Sequence, residues 1–163
     1  MSVRMRRSVQ ALTAAVLIVG GSSMAAAQAA DPAYGVWKLN VAKSKFSPGP
    51  APKEATLTIE GAGAGRKVTV VGVTADGSPV KWGYTGNLDS KDVRVTGTNP
   101  DADVVMLKRV AANATRTTFK LGGKRTLVNG VSVSADGKTL TVAQSGVNAK
   151  GQTVNNTQVF DKQ

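Results

Sequence analysis

The sequence predicts an all-β protein: an antiparallel up-and-down meander that closes into a barrel of eight to ten strands, with a two-sheet β-sandwich as the alternative. Three observations predict it. Valine and threonine are abundant, and both are stiff at χ1 and fit a pleated surface. Apolar and polar residues alternate in short runs broken by Gly, Asp, Asn and Pro, the pattern of successive hairpins. No stretch carries a helical stripe with capping residues at its ends.

Taken in order, the expected strands cover residues 34–40, 54–60, 67–74, 79–88, 92–97, 104–111, 115–121, 124–134, 139–145 and 152–161. No helical crossover separates them, so neighbours in sequence should be neighbours in space. Closing so many short strands into a barrel removes the exposed edges of an open sheet. The segment 41–53 interrupts the series. Pro48, Pro50 and Pro52 lack the N–H a ladder needs, which predicts an extended loop.

An internal repeat marks the turns. Residues 73–80 (VTADGSPV) match 133–140 (VSADGKTL), and 147–154 (VNAKGQTV) is a looser copy. Asp-Gly and Lys-Gly tolerate the positive φ of tight hairpins. Each copy supplies at most one carboxylate, which favours a turn over a calcium loop.

The N-terminus reads as a secretory signal covering residues 1–29. Arg4, Arg6 and Arg7 precede an apolar stretch, 9–21, and then the small-residue run Ala25, Ala26, Ala27, Gln28 and Ala29. Charge, apolar core and small-residue cleavage site are its three parts. No cysteine follows to carry a lipid anchor. Residues 30–163 hold no apolar run of the about 20 residues that span a bilayer. They form one expected domain, periplasmic or secreted, and an expected monomer.

Composition excludes several chemistries. The chain has no histidine and no cysteine. It therefore lacks an imidazole base, a thiol nucleophile, a disulfide and the usual zinc ligands. The formal charge of +11, less the three arginines of the signal, leaves +8 on the remainder. That balance favours acidic partners, although the basic residues are interleaved with Thr and Val as on a solvated strand face.

Gly35, Val36 and Trp37 open the first expected strand. A Gly-x-Trp at this place resembles the lipocalin and wider calycin families of β-barrels. The resemblance implies that Trp37 packs across the closed end of the barrel, with Lys162 lying over it after the last strand. A cation over an indole face is physically favourable. The opening through Pro52 and the ending 155–162 also resemble a family of small exported bacterial proteins of uncharacterised function.

The candidate ligand site is an aromatic stripe. Val80, Trp82 and Tyr84 alternate along one strand, so they share a face that lines a cavity or a packed core. Asp101 and Asp103 share one loop, but adjacent carboxylates lack the facing geometry of an acid/base pair. Residues 61–65, before Arg66 and Lys67, form a glycine-rich link between strands. No helix N-terminus follows to bind phosphate. Lys43, Lys45, Lys108 and Arg109 are the densest basic spots. They lack the repeated aromatics of nucleic-acid binders.

The expectation is a non-enzymatic, lipocalin-like exported protein that binds a small apolar ligand in its interior near Trp82 and Tyr84. No catalytic residue, metal, cofactor or nucleic acid is expected. The alternative is an envelope interaction module that binds an acidic polymer, an anionic lipid or a protein through its basic outer surface. Mass spectrometry of the protein from its host is expected to find a chain starting at or within a residue or two of position 30. An intact Met1 would overturn export by cleavage.

Overall fold

The computed structural model describes residues 30–163; the expected signal, 1–29, lies outside the described residues. The strands are β1 (Gly35–Leu39), β2 (Glu54–Ala62), β3 (Gly65–Val73), β4 (Pro79–Asn87), β5 (Asp89–Arg94), β6 (Thr96–Gly97), β7 (Val104–Ala111), β8 (Ala114–Leu121), β9 (Lys124–Val133), β10 (Thr139–Val147) and β11 (Thr153–Lys162). They form one 11-stranded sheet in the order β5-β7-β8-β9-β10-β11-β1-β2-β3-β4-β6. Every pairing is antiparallel. The result is a nearly closed barrel built as a meander, not a two-sheet sandwich.

The strand count exceeds the expected eight to ten for a physical reason. The segment expected as one strand, 92–97, changes partner part-way. β5 pairs with β7, while β6 pairs with β4 only at Trp82↔Gly97 and Gly83↔Thr96. The two ends of the sheet are thus consecutive in the chain, and this segment is the seam of the barrel. Side-chain packing substitutes for the missing ladder there. A Cβ on Gly86 of β4 would lie 2.5 Å from Cγ2 of Val93 on β5, so the absence of a side chain at Gly86 lets Val93 seat against β4.

Alternation along each strand builds the core. Trp37 and Leu39, Leu57 and Ile59, and Val105 and Leu107 point inward and are buried, as a period of two requires. The Pro-rich segment serves the last strand. The Lys45 and Thr157 backbones exchange hydrogen bonds at 2.8 Å in both directions, and Asn155 N–H donates to the Ser47 carbonyl at 2.7 Å. The loop thereby covers an edge of β11 that β1 is too short to reach. Its start is a 3-10 turn, Val41–Lys43, capped by the Asn40 side chain.

The three repeat copies make one kind of turn. Gly77, Gly137 and Gly151 have φ of +94°, +70° and +76°, and each N–H donates back to the carbonyl of Thr74, Ser134 or Asn148. Asp76 accepts from Ser78 N–H, and Asp136 from Lys138 N–H. Their carboxylates close the turns that join β3 to β4 and β9 to β10.

One end of the barrel is plugged by the residues just before β1. Trp37 has no exposed surface, and its Nε1 donates to the Ala33 carbonyl at 2.8 Å. Lys162, the register partner of Trp37 on β11, places Nζ 5.0 Å from the indole centroid. Gly35 leaves the space this needs, since a Cβ there would lie 3.0 Å from Lys162 Cε. Trp37→Ala is expected to lower stability by about 3–5 kcal/mol, and Lys162→Ala by less than about 1 kcal/mol. Urea unfolding midpoints measure both.

Candidate functional site

The barrel encloses a cavity of about 110 Å³. Its walls are mostly apolar, with Leu57, Ile59, Val68, Val142 and Phe160 among them. Trp82, Tyr84 and Phe119 supply an aromatic side: Trp82 lies 6.2 Å from Tyr84 at 30° between planes, and 6.0 Å from Phe119 nearly edge-on. Trp82 and Tyr84, from the stripe on β4, thus line the cavity. Val80 shares their strand face but is not part of the lining.

A polar side of the cavity was not anticipated. Arg66, Thr115, Thr117, Asn129, Gln144 and Gln158 also line it. Arg66 is 3% exposed. Its two terminal nitrogens are engaged, by Asp31 at 2.5 Å and by Thr115 Oγ1 at 3.4 Å. Among the described residues its Nε has no hydrogen-bond partner, and neither has Asn129 Oδ1. Unpaired buried polar atoms are costly. Both residues line the same cavity.

Asp31 anchors this end. It accepts at 2.5 Å from both Arg66 and Arg109, and from the Ala33 N–H at 3.0 Å. Residues 31–34, which precede β1, are therefore fixed in a turn that closes the barrel. Burial by itself would raise the Asp31 pKa. The Arg109 and Ala33 hydrogen bonds and the two positive guanidinium groups outweigh it and hold the carboxyl below its ordinary value. Burial likewise pushes the Tyr84 phenol up, opposed by a hydrogen bond with Thr117 and by the charge of Arg66.

The seam forms a second hollow, of about 670 Å³, beside this cavity. Trp82 and Tyr84 border both spaces. Among the described residues, β4 beyond Gly83 has no ladder partner across the seam. The seam is thus the part of the wall with the fewest hydrogen bonds to break, and it lies next to the cavity.

The loop carboxylates and the glycine-rich link have structural partners. Asp101 Oδ1 accepts from Ala149 N–H at 2.8 Å, and Asp103 Oδ2 from Gly122 N–H at 3.1 Å. The glycine-rich link is the tight β2–β3 hairpin, in which Ala62 pairs with Gly65. Lys67 pairs with Glu60 at 3.6 Å. Among the described residues there is no group of three or more acids that could hold a metal ion, and no helix is long and apolar enough to cross a membrane.

No protein-family model matches the chain, and no curated protein matches it. A solved structure similar to it is that of the zebrafish ileal bile acid-binding protein complexed with cholic acid. The identity is 10% and the TM-score 0.45, over 81% of this chain and 99% of that one. The resemblance to a family of small exported bacterial proteins is not extended by any of these comparisons.

Removing the carboxylate beneath two guanidinium groups should be severe. Asp31→Asn is expected to cost roughly 3 kcal/mol, since it leaves Arg66 buried without its counter-charge. Because the folded pKa of Asp31 is depressed, its contribution is complete above the unfolded value of about 3.9. It is lost as pH falls through the lower folded value. Unfolding measured from pH 6 to pH 2 should show a shallower acid loss in the variant. Asp76, Asp136 and Asp161, also held low, by Thr74, Ser134 and Asn40 respectively, supply the slope that remains.

Proposed function

We propose that this is a non-enzymatic binding protein that takes a small molecule with an apolar body and one polar end into the barrel interior. The observation that carries the reading is that two residues with a buried atom unpartnered among the described residues, Arg66 (Nε) and Asn129 (Oδ1), line the same mostly apolar cavity. The apolar wall favours the body of a ligand. The guanidinium N–H offers a charge-assisted hydrogen bond to an acceptor, and the amide oxygen takes a donor. The local charge at Asp31, Arg66 and Arg109 sums to one positive, so a neutral or singly anionic polar end suits the site.

Volume sets the size class. Drug-sized ligands occupy pockets of about 300–1,000 Å³, whereas this cavity measures about 110 Å³. An apolar cavity of about 150 Å³ takes up benzene. The ligand that fits without rearrangement is therefore of that order or smaller, such as a short-chain acid, alcohol or amide. Access is through the seam beside Trp82, where only side-chain packing and two residue pairs close the wall. Export would place this binding outside the cytoplasm, in the periplasm or the medium.

Thermal shifts with a panel of short-chain acids, alcohols and phenols test the reading. At least one compound is expected to raise Tm and to change Trp82 fluorescence. Asn129→Leu should raise the stability of the unliganded protein by about 1 kcal/mol, by removing an unpaired buried acceptor, and abolish the ligand effect. No shift with any compound, or a shift that survives Asn129→Leu, would sink the interior site.

A further inference from the structure

A larger hollow lies on the outside of the barrel. A groove of about 700 Å³ runs over the outer face of β7 to β10. Its lining includes three cations, Lys108 on β7, Arg116 on β8 and Arg125 on β9, and no carboxylate. None of the three makes an ion pair among the described residues. Asp89, the register partner of Lys108 on β5, is engaged by Lys91 at 3.4 Å.

The placement of these cations is costly to the isolated protein. Lys108 and Arg116 are direct cross-strand partners, and like charges in that position repel. Met106, Thr118, Val128 and Ser145 follow as one row across four strands. Arg125 stands beyond that row, opposite Lys120 on β8. Lys120 lies four positions along β8 from Arg116, about 13 Å at the usual rise of a strand. The groove therefore has positive charge at both ends and a floor of hydroxyl and apolar groups between them.

This chemistry selects among acidic partners. β7, β8, β9 and β10 are each paired on both sides, so no backbone edge is free to add a peptide strand. No aromatic side chain lines the groove, which removes the stacking platform that single-stranded nucleic acid uses. An anionic bilayer attracts basic residues that project towards its surface, whereas these border a hollow. A flexible chain that brings its own spaced anions and hydroxyls fits all three conditions. We propose that the groove binds a linear acidic polysaccharide, with its carboxylate or sulfate groups held by Lys108 and Arg116 at one end and Arg125 at the other.

Isothermal titration with polygalacturonate, heparin and neutral dextran tests this, with phosphatidylglycerol vesicles and a single-stranded oligonucleotide as rival polyanions. The protein is expected to bind at least one acidic polysaccharide, more weakly as salt rises, and not to bind dextran. The double variant Arg116→Gln/Arg125→Gln should bind at least tenfold more weakly at unchanged Tm, and Lys108→Gln should reproduce part of that loss. Lys45→Gln/Lys53→Gln removes the same charge elsewhere and should bind as the parent does. No polysaccharide binding, an equal loss in both double variants, or tighter binding to vesicles or oligonucleotide would overturn the proposal. The groove and the interior cavity lie on opposite faces of the wall, so the two sites fail independently.

Discussion

A guanidinium buried in a barrel demands a counter-charge, and much of this structure is arranged around that demand. Arg66 is carried inside by the alternation of β3, on the same face as Val68 and Val70. Asp31 meets it from outside the sheet, which fixes the turn at 31–34 as a plug. The plug in turn brings the Ala33 carbonyl to the Trp37 indole, so the largest fully buried side chain of the core is oriented by the same few residues. Arg109, at the end of β7, adds a second cation to the one carboxylate. That surplus of positive charge is what gives the neighbouring cavity its polar end.

The same period of two divides the wall into two chemistries. On β8, Thr115, Thr117 and Phe119 face the cavity, while Arg116 and Thr118 face the outer groove. A register slip of one residue would exchange the two sets. The bulges at 109–111 and 118–120 therefore act on both surfaces at once. Interior and exterior are not independent designs of the sequence, even though their ligands would be unrelated.

Much of the fold was legible because hairpin patterning is local. The alternating runs and the repeated turns named ten of the strand segments, and Trp82 and Tyr84 were placed on the inner face by parity alone. What escaped notice was polar. Arg66 follows a glycine-rich link and Arg109 belongs to a dense basic spot, and a charged residue is ordinarily solvated. Parity places Arg66 inside, in step with Val68, and puts Arg109 on the inward-facing row of Leu107 at the exposed end of the barrel. Asn129 is flagged in the same way by Leu127 and Val131. The partner of the two arginines was beyond local reading, since Asp31 lies 35 residues from Arg66 and 78 from Arg109. The split of the seam into β5 and β6 was hidden for a similar reason, as a change of partner leaves no mark on alternation.

The strand order has a temporal side. β1 pairs with β11 and with β2, and Gln163, just past β11, donates its N–H to the Val36 carbonyl. The earliest strand of the domain is thus completed by the latest. A chain that emerges N-terminus first, from a ribosome or through a membrane pore, has no closed barrel at any intermediate length. Until residue 162 arrives, Trp37 lacks its covering lysine and β1 one of its two neighbours. Hairpins such as β2–β3 need no late partner, but closure of the ring through β1 waits for β11.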